Sequence, residues 1–421
     1  MNGRLTPEQV PSATWSTNFA ASASRVEATS YQWRDPAAIP TRDWIYGRQI
    51  LRGHVGATIA PGAAGKTILL AGMALAMATG WPLLGKTIWG GPKRVWLWNL
   101  EDSGEEMARI IQAACKHWNI GNVDLADRLF VDSALDGARF KVAVSSGAAG
   151  LTIDHGLVND LVAELGDRKI DFLSLDPFVS AHAVNESDNM EIDAVTKELA
   201  GVAKAANCAI NLSHHTSKSG ATDTTALSAR GAVALINACR SALTINRMSE
   251  EEASRYGIEG EDRRRYFRAY DDKNNRSPPA SDCDWYQMIS VNLENGGAGA
   301  GDSVGVVVPW SPPDPFDGLT GDHLLRVQLA VHGGRWRDHH ASDEWVGHAV
   351  AAALGLDAGE KDRSRILQLI KTWKREGALK VVEGKDERRK LVKFVEVGRW
   401  QNDTSAPPGI TGAEQGGAGR A

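Results

Sequence analysis

An α/β fold with a mostly parallel sheet is what the sequence predicts, and three observations carry it. A short apolar run, Ala57–Ala60, leads through a turn of small residues into an apolar stretch of helical length, Thr67–Ala78. Short apolar runs then keep alternating with longer segments of helical period, the order that βαβ units impose. Two of the short runs, Val95–Leu100 and Phe172–Leu175, end directly in acids.

Taken in order, residues 1–38 are rich in Ser, Thr, Ala and Pro and read as a flexible arm. The folded pattern begins at Pro40 and runs to about residue 294. After the first strand and helix come Val95–Leu100 (strand), Glu105–Trp118 (helix), Leu151–Leu165 (helix), Phe172–Leu175 (strand), Met190–Ala206 (helix) and Ala209–Ser213 (strand). The pattern then turns β-rich, with Ser241–Ile245, Tyr266–Tyr270 and Trp285–Val291 extending one sheet edge. Ser249 with Glu252 makes a capping box for a short helix between two of them. The Gly-, Pro- and Asp-rich stretch 295–321 reads as a linker. Residues 322–400 read as a small second domain. Helices Ser342–Leu356 and Arg365–Glu376 precede strands Leu379–Val382 and Leu391–Val397, which flank a charged tip, Glu383–Lys390. That outline is winged-helix-like. Residues 401–421 read as a disordered tail.

Length fits two or three domains. A net charge of −5 excludes a protein that coats nucleic acid with its whole surface, but the charge is uneven. Residues 360–400 hold thirteen Lys/Arg against seven Asp/Glu, about +6, which leaves about −11 elsewhere. Cys115, Cys208, Cys239 and Cys283 lack metal or disulfide spacing and read as reduced, buried thiols. The most apolar run, Ile68–Leu84, is broken by Gly72, Gly80 and Pro82 and is short for a membrane span. A cytoplasmic protein without a membrane partner is expected.

Ala60-Pro61-Gly62-Ala63-Ala64-Gly65-Lys66-Thr67 fits a phosphate-binding loop, with Ala60 at the place of the first Gly and Ile68 opening the helix behind it. Small residues let backbone N–H groups curl around a phosphate, Lys66 adds a point charge, and the Thr67 hydroxyl is placed to ligate Mg²⁺. Asp176, at the end of Phe172–Leu175, completes the metal site that a triphosphate needs. Hydrolysis also needs a base or water-orienting group, and Glu101 stands at the end of the strand after the phosphate-loop helix. His214 and His215 follow Ala209–Ser213 and are candidate γ-phosphate sensors. A metal site at this pair lacks a third ligand at sensible spacing. ATP and Mg²⁺ are the cofactors expected.

With these motifs in hand, the chain resembles the RepA-like hexameric replicative helicases, AAA-type P-loop ATPases of the RecA/DnaB superfamily. The matching pieces are Ala60–Thr67, Leu100-Glu101-Asp102, Leu175-Asp176, His214-His215-Thr216-Ser217-Lys218, and Ala229-Arg230-Gly231 through Asn237-Ala238-Cys239-Arg240. They cover about residues 45–290. The resemblance implies a RecA-like core assembled as a homo-oligomeric ring, a hexamer, with ATP between subunits. It implies a trans-acting arginine at Arg240, with Arg230 a second candidate, and a trans-acting lysine at Lys273. It places the loops 180–189 and 218–229 at a central channel for single-stranded DNA. Here the sequence departs from the family: the first loop holds two acids and no Lys or Arg, and the second only Lys218. In the C-terminal piece Arg363, Arg365, Lys371, Lys374, Arg375, Lys385, Arg388, Arg389, Lys390 and Lys393 suit duplex DNA or a docking partner. The expected activity is that of an ATP-driven DNA helicase or translocase; the alternative is a regulatory or defence ATPase that switches assembly without unwinding.

Overall fold

Strands that are apolar in near-continuous runs require two covered sheet faces, and the structure supplies them: β-strand residues 95–99 and 172–176 are buried throughout. The computed structural model describes residues 28–401 except 147–149, 217–231, 275, 277–282 and 298–300. The chain divides after Arg42. The described part of the first unit carries one short 3₁₀ turn, Pro36–Ala38, opened by an Asp35 carboxylate that accepts from the Ala37 N–H at 2.9 Å.

The second unit opens with a small antiparallel pair, β1 (Trp44–Tyr46) and β2 (Ile50–Leu51). There follow β3 (Val55–Pro61), α1 (Lys66–Thr79), β4 (Val95–Asn99), α2 (Gly104–Trp118), α3 (Asn122–Leu125) and β5 (Leu129–Ser133). A second small pair, β6 (Ala143–Ser146) and β7 (Gly150–Ile153), precedes α4 (His155–Asp167), β8 (Phe172–Asp176), α5 (Asn189–Ala205) and β9 (Ala209–Thr216). Then come α6 (Ala232–Ala238), β10 (Ser241–Arg247), α7 (Glu250–Tyr256), β11 (Tyr266–Asn274), β12 (Asp284–Asn292) and β13 (Ser303–Trp310).

Nine of these strands form one sheet in the order β13-β12-β11-β10-β3-β9-β8-β4-β5. From β10 to β5 every pairing is parallel; β10 to β13 is an antiparallel extension. This is a RecA-like P-loop core. Strand alternation divides its side chains between two cores. Val55, Ala57 and Ile59 of β3, with Trp96 and Trp98 of β4, pack against α4 and α5. Ala60, Val95 and Leu97 pack against α1 and α2 on the other face. Leu69 to Thr79 are all buried, which explains why α1 is apolar on every side: the sheet, α2 and α3 enclose it.

Three differences from the sequence reading have physical causes. The helix expected from Leu151 begins at His155, because Gly150–Ile153 pairs with β6 and Asp154 then caps α4, its carboxylate accepting from the Leu157 N–H at 3.0 Å. Residues 129–133 form β5, a strand the apolar pattern did not separate. The stretch expected as a linker, 295–321, instead contributes β13, paired with β12 from Trp285↔Trp310 to Asn292↔Ser303. Gly305 and Pro309 disguise that strand, and Pro309 is tolerated because β13 is the sheet's edge.

The C-terminal segment runs α8 (Gly321–His332), β14 (Trp336–Arg337), α9 (Val346–Leu354), α10 (Glu360–Arg375), β15 (Leu379–Lys385) and β16 (Leu391–Val397). The three strands form a small antiparallel sheet, β14-β16-β15, over a core of Val327, Trp345, Ile366, Leu369, Trp373 and Val395. Helix, strand, two helices and a hairpin is a winged-helix-like order, with β15–β16 as the wing. All four cysteines are free thiols, three buried and Cys283 half-buried. Among the described residues no helix is long and apolar enough to cross a membrane.

Candidate active site

The loop between β3 and α1 is shaped by Gly65, which caps α1 in the left-handed region at φ +86°. A Cβ there would fall 2.6 Å from the terminal methyl of the flexible Met288 side chain, which can move aside, so it is the left-handed backbone that calls for glycine. Ala63 also holds a positive φ, +56°. From the end of β10, Arg247 donates to the Ala63 carbonyl and lies 3.4 Å from that of Gly62. It ties down the loop's outward carbonyls, which leaves its N–H groups to face an anion.

Lys66 and Thr67 open α1 pointing at the end of β8. Lys66 Nζ donates to Asp176 Oδ1 at 2.7 Å and Thr67 Oγ1 donates to Asp176 Oδ2 at 2.8 Å. Ser213, from the neighbouring β9, donates to Asp176 Oδ1 at 2.6 Å. Burial pushes the Asp176 carboxyl up, but the Lys66 ammonium, aided by the two hydroxyls, outweighs it and holds the group below the ordinary carboxylate range. Asp176 is therefore an anion at neutral pH.

Glu101 follows β4, which pairs in register with β8 so that Asn99 lies opposite Asp176. Asn99 is 2% exposed and sets the turn: its Oδ1 accepts from the N–H groups of Glu101 and Asp102, at 2.8 and 2.7 Å. Ser103 is the N-cap of α2, accepting from the Glu106 N–H, so the Glu101 carboxylate is not spent on the helix end. Glu101 lies 3.9 Å from His215 Nε2, which is 3.3 Å from Lys66 Nζ. Lys66, Thr67, Asp176, Glu101 and His215 thus converge on one cleft.

His214 does not. Ser213 and His215 share one face of β9 and His214 takes the other. It is buried, with Nδ1 3.6 Å from Glu186 Oε1. Burial, with lesser contributions from Lys66 and His215, lowers it to about 4. His182 is likewise lowered to about 4, by burial first and then by His214 and Lys141. Among the described residues no group of three His, Cys, Asp or Glu is arranged to hold a metal ion.

Two depressed histidines imply a pH dependence. Unfolded histidine takes up its proton near 6.5, whereas these do so near 4 in the fold. Their contribution is complete above pH 6.5 and falls as pH drops through that window, because only the unfolded state gains protons there. We expect a loss of up to about 3 kcal/mol per histidine between pH 6.5 and 4. Urea titrations across that window check it, with His214→Asn flattening the slope; a wild-type stability level across the window contradicts it.

The remaining candidates lie elsewhere. The Arg240 N–H bonds Val55 O at 2.9 Å, at the start of β3, while the phosphate loop leaves its end. Seven strand residues separate those ends by roughly 20 Å, so the exposed Arg240 side chain cannot serve its own loop. Lys273 Nζ donates to the Ile236 and Asn237 carbonyls at 2.6 and 3.2 Å and so closes the end of α6 instead of standing free. Arg230 and the loop 218–229 lie outside the described residues. The loop 180–189 is tied to β6 through Ser145 N to Ala183 O at 3.0 Å and carries Glu186 toward His214.

Sequence reasoning missed Asn99, Ser213 and Arg247. Each is a polar residue inside or ending an apolar strand, a signal that points inward only once strand order is known.

No curated protein is similar enough to stand as a relative. The family model of an AAA domain matches residues 20–221, just under half of the chain, and that stretch contains Lys66, Thr67, Glu101, Asp176 and His215. The match and the geometry agree on a P-loop ATPase.

Proposed function

We propose that this protein is an ATP-driven DNA translocase or helicase that works as a RepA-like ring of identical subunits, a hexamer. The observation that carries the reading is the split of the site. Lys66, Thr67, Asp176 and Glu101 meet in one cleft, while Arg240 sits at the opposite end of the parallel strands, beside the start of β3 and out of reach of its own cleft, so that in a ring it would serve a neighbour's.

The donor set fits Mg²⁺: a hydroxyl and an ionised carboxylate are hard oxygen ligands held 2.8 Å apart beside a helix N-terminus. Thr67 and Asp176 would hold the ion, which when bound neutralises charge on the phosphates. The loop N–H groups and Lys66, which has two donors beyond the one given to Asp176, hold the β- and γ-phosphates. Glu101 orients the attacking water and accepts its proton. His215, between Glu101 and Lys66, contacts the γ-phosphate. Arg240 of the next subunit stabilises the transition-state charge.

Turnover is expected to be stimulated by single-stranded DNA and to displace a strand from a forked duplex. A second reading, a RecA-like switch ATPase, is favoured by one feature: the loop 180–189 presents Glu186 and no cation. ATP hydrolysis indifferent to any DNA would select that reading; stimulation without strand displacement would leave a translocase.

A further inference from the structure

The cations of the C-terminal segment fall into two sets with different fates. Those on α10 and its lead-in are largely spent. Arg363 donates to His340 O at 2.7 Å and stacks 4.8 Å over the Trp345 ring. Arg365 donates to the Pro315 carbonyl at 2.9 Å and to that of Asp317. Lys374 pairs with Asp338. Lys371 and Arg375 are exposed, but they continue the stripe that begins at Ser364 and Gln368, since residues three and four apart share a helix face. That stripe is covered at its start. Ser364 Oγ reaches the Ser254 and Arg255 carbonyls at 2.6 and 2.5 Å, and Gln368 donates to the Arg255 carbonyl. These are last-turn carbonyls of α7, which need partners. So α10 closes the end of a helix in the ATPase core, and its outward face cannot lie along a DNA groove while that contact holds.

The wing is different. Its tip is braced: Asp386 N–H donates to Lys390 O at 2.9 Å, the Asp386 carboxylate accepts from the Lys390 N–H at 2.8 Å, and Arg337 lies 3.3 Å from its other oxygen. Lys385, Arg388, Arg389, Lys390 and Lys393 all stand exposed around that tip. Among the described residues no ion pair joins any of them to a carboxylate.

We propose that this braced, basic wing grips the phosphates of duplex DNA while α10 stays docked on the ATPase core. The inference rests on the reading that the chain works on DNA, and it adds which surface binds the duplex. A two-stranded ribbon has the width of a major groove, and unpaired cations on it release counterions on contact. A protein partner is a poorer fit, because protein interfaces centre on aromatic and large apolar anchors. At the tip the large apolar side chain exposed is Leu391, 63% accessible.

The test uses the full chain without nucleotide and a labelled duplex of about 20 bp, two helical turns. Arg388→Glu with Lys390→Glu should weaken binding at least about tenfold at 0.1 M salt and reduce the salt slope by about 2. Lys371→Glu with Arg375→Glu should stay within about twofold, because those two charges lie on the docked face. Leu391→Ala should match wild type. Basal ATP hydrolysis should be unchanged in all three, which reports that the fold is intact. Wild-type duplex affinity in the wing variant overturns the proposal, as does a loss confined to the α10 variant. Wing-dependent binding of single strands alone overturns the duplex assignment, and a loss on Leu391→Ala turns it toward a protein partner. A wild-type chain that binds duplex through the wing but hydrolyses no ATP would sink the ATPase reading and leave this one standing.

Discussion

Glu101→Gln is expected to bind ATP as wild type does and to hydrolyse it about 10²- to 10⁴-fold more slowly, the range a positioned base supplies, or about 3–5 kcal/mol of barrier. The substitution keeps shape and hydrogen-bonding reach and removes the proton acceptor. It should leave the fold alone, since the turn is set by the Asn99 side chain binding the Glu101 N–H, a backbone contact any residue retains. Glu101 is about half exposed, and the imidazole 3.9 Å from it, that of His215, is held toward its neutral form by burial and Lys66, so no buried charge is stranded. Rapid-quench single turnover with a nucleotide-binding titration separates the two effects. Turnover at the wild-type rate would remove Glu101 from the chemistry and leave His215 the side chain nearest to take its place. Weakened binding with unchanged turnover would make it a binding residue only.

The contrast between Glu101 and its neighbours shows what sequence discloses and what folding must add. The phosphate loop was legible because its chemistry is local: eight consecutive residues bend the backbone, and Gly65, Lys66 and Thr67 each do their work within one turn. Asp176 was legible because an apolar strand ending in acid can be matched to that loop. Asn99, Ser213 and Arg247 were not, because their roles depend on which strands are neighbours. Ser213 reaches Asp176 only because β9 lies beside β8, and Arg247 reaches Ala63 only because β10 lies on the other side of β3. Strand period and packing also set two candidates apart from the cleft. His214 and His215 are indistinguishable as a pair in sequence, yet the two-residue period of β9 sends one to the cleft and buries the other against Glu186. Lys273, marked by resemblance alone, closes α6 within its own chain. The missed β13 is a case of composition misleading: glycines and prolines mark turns in general, but an edge strand has no ladder to lose on one side.

Arg240→Ala should lower turnover by about 10³-fold or more, the worth of a trans-acting arginine, while nucleotide binding stays close to wild type. The side chain is exposed and only its N–H is used by the fold, so stability should move little. Loss of activity alone would not show that the arginine acts across subunits. Mixing does. Arg240→Ala retains its own cleft, with Lys66, Thr67, Asp176 and Glu101 intact; Glu101→Gln retains its arginine. In equimolar mixed rings of these two impaired variants, roughly a quarter of the interfaces pair an intact cleft with an intact Arg240, because each head-to-tail contact draws one surface from each chain. The mixture should therefore recover a sizeable fraction of wild-type hydrolysis after subunit exchange, although each parent alone keeps only its small residual rate. A residue acting within its own chain predicts no recovery at any ratio, since every cleft would remain defective. The roughly 20 Å between the two ends of β3 makes that second outcome incompatible with a catalytic Arg240, and observing it would move the residue to a role in assembly.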